Sequence, residues 1–307
     1  MHIYRINFFF LMLFATSNVF TAYYPTSSWE ISSPEDQQVR TDNVDALVNL
    51  AFLDDSTQAV VVIKNGKIIS EKYAEGYDKN SHGTSWSMAK SYYAALIGIS
   101  IDRGEIGGLD DKVGDYLTYF NDERSEITIR DLLDMSSGLD FPKDEHETMF
   151  FQEDHLKYAM GVGVEKSAGL KFEYNNVNSM LLGDILIATT GKKADVLLKE
   201  RILDLIGVTD YKLWKDESGN VLTYCCVDMS ARDYSKIGLL FSRNGNWDGK
   251  QLISKQYIDE TFQVVWDVTP ERFTTLKRGY SLHWWVSAYE DEFKIFNTSG
   301  KFGQYTF

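Results

Sequence analysis

Ser87-Met88-Ala89-Lys90 places a hydroxyl three residues before an amine, and no other Ser-x-x-Lys occurs in the chain. On a helix that spacing puts both side chains on one face, within mutual reach. A serine hydroxyl is a weak nucleophile and needs an adjacent base. A lysine can be that base only where burial or nearby positive charge lowers its pKa. Taken alone, the pair also reads as a helix N-cap followed by a solvated lysine. Tyr174-Asn175-Asn176 adds a phenol, whose oxygen both donates and accepts, so it can relay a proton to a leaving group. Two residues on, the Asn176 amide could hold the lysine and a substrate carbonyl. Gly300-Lys301-Phe302-Gly303-Gln304 enters the last strand. A glycine there admits a substrate close to the backbone, and the next N–H could complete an oxyanion hole. Taken singly, each of these two segments also reads as a turn.

These residues need elements to position them. Residues 87–103 are apolar on most sides, which predicts a buried helix stopped at Gly104. Its N-terminus would offer free N–H groups and the positive dipole end to a developing oxyanion. Before it, the β-branched run 59–63, Asn65-Gly66 and residues 67–74 predict a hairpin. Apolar spacing predicts a helix over 43–52. Further helices are expected from a capped start at Thr128-Ile129-Arg130-Asp131, over 178–190, 194–205 and 254–264, and from Ser230-Ala231-Arg232-Asp233 to Asn244. Residues 280–289, 293–298 and 303–307 read as strands. Strands, helices, then strands suggest an α/β + α fold: one antiparallel sheet built from both ends of the chain, flanked by helices, with a helical domain inserted. We expect a discontinuous sheet domain of residues 39–105 and 206–307, a helical domain of 106–205, and a cleft between them as the site.

Composition narrows the function. The 307 residues are 44% apolar and 25% charged, with a formal net charge of −14. That balance suits a globular, soluble surface and repels nucleic acid. His2 and Arg5 precede an apolar run over 6–14, and Ala15-Thr16-Ser17 fits a small-x-small cleavage site. Residues 1–22 are therefore expected to be a signal peptide and lead-in, and the protein to be periplasmic or secreted. No later stretch reaches transmembrane length. Cys225 and Cys226 are adjacent; neighbours rarely pair, and no Cys/His set surrounds them, so both read as small buried apolar residues. His82 and His283 read as structural, and Tyr92-Tyr93 and Trp284-Trp285 as core and cleft wall.

Together and in this order, the three segments resemble the serine β-lactamase-like superfamily, which includes penicillin-binding proteins, class C β-lactamases and related esterases. The runs Trp86 to Ser91, Leu132 to Leu139, Tyr174 to Gly183, Ala231-Arg232-Asp233 through Gly238, and His283-Trp284-Trp285 look like the 6-aminohexanoate-dimer hydrolase branch. The likeness covers residues 29–307. It implies that Ser87 becomes acylated, that Lys90 takes its proton, and that Tyr174 hands a proton to the leaving group. It implies that Asn176 orients Lys90 and substrate, and that Lys301 and Gly303 match the ends of the third motif. The N–H groups of Ser87 and Gln304 would be the oxyanion donors, and no metal or organic cofactor is required. The expected partner is a small ester or linear amide. Phe302 stands where lactamases and peptidases usually carry a carboxylate-binding hydroxyl, which weighs against D,D-peptidase or β-lactamase activity. Family members continue past the strand of the third motif, so the fold is expected to be C-terminally incomplete. That leaves a degenerate binding protein without turnover as a further alternative.

Overall fold

The computed structural model describes residues 23–140, 148–271, 277–290 and 292–307. The expected export signal at residues 1–22 lies outside them. Helix α1 (Thr41–Ala51) leads into the hairpin of β1 (Ala59–Lys64) and β2 (Lys67–Tyr73). Asn65 and Gly66 turn it at φ of 54° and 83°. Positive φ at both central residues matches the twist of the flanking strands. Strand β3 (His82–Thr84) then runs into a 3₁₀ turn, Trp86–Met88, and helix α2 (Ala89–Asp102). Residues 89–100 of α2 are all buried, as a helix apolar on every side requires.

The next stretch supplies α3 (Ile129–Leu133), α4 (His155–Gly161), α5 (Asn176–Thr190) and α6 (Ala194–Leu198), of which α5 and α6 pack on α2. Thr128 and Asp131 form the expected capping box, and Gly191 closes α5 at φ 71°. Strands β4 (Lys212–Leu213) and β5 (Val227–Ser230) join β3 in an antiparallel sheet ordered β3-β5-β4. Helix α7 (Ala231–Ser242) starts at once, with the Ser230 hydroxyl accepting from the Asp233 N–H. A ribbon of β6 (Asn246–Trp247) and β7 (Lys250–Gln251) precedes α8 (Lys255–Thr261). A five-stranded antiparallel sheet ends the chain: β8 (Trp266–Asp267), β9 (Arg278–Ser281), β10 (Trp284–Ser287), β11 (Ile295–Gly300) and β12 (Gln304–Thr306), in the order β12-β11-β10-β9-β8.

Three expectations are corrected. Residues 280–289 are not one strand: β9 and β10 meet at Leu282 and His283, with φ of 41° and 64°. No Gly, Asn or Asp marks that turn. It is held from afar, by the Leu282 N–H on Asp134 Oδ1 at 2.7 Å and the His283 N–H on the Leu133 carbonyl at 2.9 Å. The two ends of the chain do not share one sheet: among the described residues no ladder joins the β1-β2 hairpin to the C-terminal sheet, and both instead contact α7. Cys225 and Cys226 are buried as expected but are bonded to each other across a cis peptide bond that brings their Cα atoms to 3.4 Å.

Candidate active site

Ser87 is the middle residue of the 3₁₀ turn that opens α2. That turn is anchored to β5: the Ser85 N–H donates to the Val227 carbonyl at 2.8 Å, and the Val227 N–H donates back to Ser85 Oγ at 2.8 Å. Lys90 lies in the first turn of α2 with 1% exposure. Its Nζ is 3.0 Å from Ser87 Oγ and donates to the Tyr224 carbonyl at 2.7 Å. Among the described residues no carboxylate offsets its burial, which pushes its pKa down to about 7. Near neutral pH a large share of the Lys90 amine is therefore unprotonated and able to accept the Ser87 proton.

Tyr174 covers this pair, its ring centre 5.0 Å from Lys90 Nζ. Burial raises its phenol to about 12, and its interaction with Ser87 pulls the other way. The ring stacks on Trp285 at 6.0 Å and meets Tyr280 edge-on at 6.2 Å. Tyr280, Trp285 and Asn297 are register partners across β9, β10 and β11, so their side chains leave the sheet on one face. The other face carries Trp284 and Phe296, which pack on Phe241 of α7 and on Phe262. One sheet thus forms core on one side and wall of the site on the other.

The neighbouring amides divide differently from expectation. Asn175 is the N-cap of α5: its Oδ1 accepts from the Val177 N–H at 2.9 Å, and its Nδ2 donates to the Leu139 carbonyl at 3.2 Å. Asn176 is half-buried, and among the described residues no hydrogen bond joins it to Lys90. The structure gives the orienting position to the Tyr224 carbonyl. That acceptor is invisible in residue order, because a backbone oxygen has no signature in residue type. The Tyr224 hydroxyl lies 2.9 Å from His155 Nδ1, which ties the same residue to α4.

The third segment is also corrected. The strand it enters begins one residue later than expected, at Gln304: Lys301, Phe302 and Gly303 form the exposed turn between β11 and β12, with Gly300 paired to Gln304. The turn packs on the residue before Ser87: the Phe302 ring is 5.3 Å from that of Trp86, and Lys301 Nζ lies 5.9 Å from the Trp86 ring centre. The glycine required by close approach is Gly300, where a Cβ would stand 2.2 Å from the Ser85 carbonyl oxygen. Gly303, at φ 76°, is needed for the turn. Gln304, half-buried, starts β12.

His283 is structural, as expected. Its Nε2 lies 2.9 Å from Ser179 Oγ and its Nδ1 3.3 Å from the Tyr280 hydroxyl. Burial, with the Lys90 charge second, holds its pKa down at about 3, so it is neutral. His82 pairs with Asp210 at 3.2 Å. Among the described residues no group of three or more His, Cys, Asp or Glu side chains is placed to hold a metal ion.

A half-buried serine and a buried lysine three residues apart, under a phenol and against a sheet flanked by helices, are an arrangement suited to serine-hydrolase chemistry. The model of the Beta-lactamase family matches residues 53–307, so the chain belongs to that family, whose members are serine hydrolases. The fold is of the β-lactamase/transpeptidase kind. An N-acetylmuramyl-L-alanine amidase of Bacillus subtilis (strain 168) is 27% identical over 173 residues, 47% of this chain. A 6-aminohexanoate-dimer hydrolase of Paenarthrobacter ureafaciens is 20% identical over 259 residues, 76% of this chain. The matched segments span 39% and 65% of those relatives' own lengths. A provisionally named 6-aminohexanoate-dimer hydrolase from Bacillus anthracis has the same fold, with a TM-score of 0.74 at 21% identity, over 92% of this chain and 78% of that one.

Proposed function

We propose that this chain is a hydrolase of carboxylic esters or linear amides that works through an acyl-enzyme on Ser87. The observation that carries the reading is the 3.0 Å contact between Ser87 Oγ and a buried lysine that no carboxylate neutralises. Ser87 Oγ bonds to the substrate carbonyl carbon while its proton passes to Lys90 Nζ. The N–H groups of Ser87 and Gln304 receive the developing oxyanion. The bond to the leaving group then breaks, and the leaving group takes a proton relayed from Lys90 through the Tyr174 hydroxyl. Water attacks the acyl carbon and gives its proton to the same pair; the Ser87 Oγ–carbon bond then breaks, releasing the carboxylic acid, and Oγ takes the proton back from Lys90. Asn176 and Lys301 serve as substrate contacts in this scheme. The relatives' names, an amidase and a dimer hydrolase, support amide chemistry. Phe302 in the third segment favours linear substrates over penicillins. The N-terminal residues support export, which N-terminal sequencing of the protein recovered from the producing cell would check.

The test is intact-mass analysis after treatment with a fluorophosphonate probe, on the folded protein and on Ser87→Ala. One adduct on the first and none on the second is expected, followed by turnover in an ester and amide panel. A folded protein that takes up no probe contradicts the hydrolase reading and favours a binding protein on the same fold.

A further inference from the structure

The sheet face that holds Tyr174 also carries a guanidinium. Arg278 and Tyr280 are two residues apart on β9, so both side chains leave by the same face, and Tyr280 is the register partner of Trp285. The Arg278 guanidinium lies 3.8 Å from the Trp285 ring centre, and Trp285 stacks on Tyr174. Arg278 is thus one aromatic ring away from the phenol that touches Ser87.

What distinguishes Arg278 is the lack of an acceptor. The other half-buried or buried arginines of the described residues each donate to oxygen: Arg124 to Asp122, Arg130 to Asp110, Arg201 to Glu105, Arg232 to Glu71, and Arg243 to the Tyr23 carbonyl. Among the described residues, no carboxylate or carbonyl takes a hydrogen bond from the Arg278 side chain. Burial without a counter-charge is unfavourable for a cation, and here it pulls the guanidinium pKa down. A planar guanidinium fork held against an indole, with no acceptor on its N–H groups among the described residues, fits the geometry of a carboxylate.

We propose that Arg278 is the carboxylate-binding end of the substrate site, so that the preferred substrate is an amide or ester carrying a free carboxylate on one side of the scissile bond. The inference rests on the hydrolase reading for its substrate and makes Arg278 a specificity residue that the third segment does not supply. The acidic surface does not forbid an anion here, since at physiological salt its field decays over about 8 Å.

The test measures binding rather than turnover, so it stands apart from the labelling experiment above. Calorimetry on Ser87→Ala compares 4-acetamidobutanoate with its neutral isostere, 4-acetamidobutanamide. The carboxylate is expected to bind at least about tenfold tighter. Adding Arg278→Met, which keeps an apolar chain over Trp285, should erase that preference, and Arg278→Lys should restore part of it. Equal binding of the two ligands to Ser87→Ala overturns the inference, as does a preference that survives in the methionine variant. If Ser87 takes no fluorophosphonate while the carboxylate preference is found, the hydrolase reading fails and Arg278 remains an anion site.

Discussion

Lys90 on α2 and Lys236 on α7 are both buried, with 1% and 3% exposure. Each Nζ donates to one backbone carbonyl at 2.7 Å, that of Tyr224 for Lys90 and that of Gly207 for Lys236. Each also lies 3.0 Å from the side chain three residues earlier on its own helical stretch. The difference is the nature of that side chain. Lys236 meets the carboxylate of Asp233, an oppositely charged partner inside the fold. Lys90 meets the hydroxyl of Ser87, which offers no charge to hold the proton in place. Two lysines in similar burial thus differ in one neighbouring atom group, a carboxylate beside Lys236 and a hydroxyl beside Lys90.

The largest effect that would break this comparison is on turnover. Lys90→Met should lower kcat/KM for an ester substrate by roughly 10²- to 10⁴-fold, the usual contribution of a positioned base, while leaving the fold intact. Retained turnover in that variant would place the base elsewhere. Lys236→Met should do the reverse, with near-normal kcat/KM but a loss on the order of 2 kcal/mol in urea unfolding. The loss is kept below that of a fully enclosed pair because Asp233 is partly exposed. The subtler effect is on stability against pH. The folded pKa of Lys90, about 7, lies below its ordinary value of 10.5. Between those values the unfolded chain holds a proton that the folded chain has lost, so stability rises with pH across that window. Below pH 7 the full cost of the buried charge is present. Lys90→Met should therefore be more stable than the parent near pH 6, with a gap that shrinks toward pH 10. Melting curves at several pH values would show it, and a constant gap would contradict it.

The same contrast explains what could be read from residue order alone. Ser87 and Lys90 are three residues apart on one helical stretch, so local spacing already brings them together, and the apolar pattern of α2 already buries Lys90 while Ser87, in the turn before it, stays half-buried. The Asn65-Gly66 turn and the Thr128 capping box were equally local. The Tyr224 carbonyl that fixes Lys90 was not legible, because any residue carries a carbonyl and only the path of the chain aims it. Gly300 was passed over for Gly303 because its need is set by the Ser85 backbone, more than two hundred residues earlier in the chain. The Leu282-His283 turn escaped for the same reason: Leu133 and Asp134 hold a backbone conformation that its own residues do not favour. The isolation of the Arg278 side chain has no mark in residue order either, because it depends on which acceptors the fold leaves out of its reach among the described residues.

Activation of Ser87 by a Lys90 amine that is partly unprotonated near neutral pH is tested most directly by the pH dependence of fluorophosphonate labelling at Ser87. The labelling rate is expected to rise about tenfold per pH unit in acid and to level off with an apparent pKa near 7, as the buried Lys90 amine loses its proton. A rate that keeps climbing past pH 9 would show a serine ionising without help from Lys90 and would contradict it.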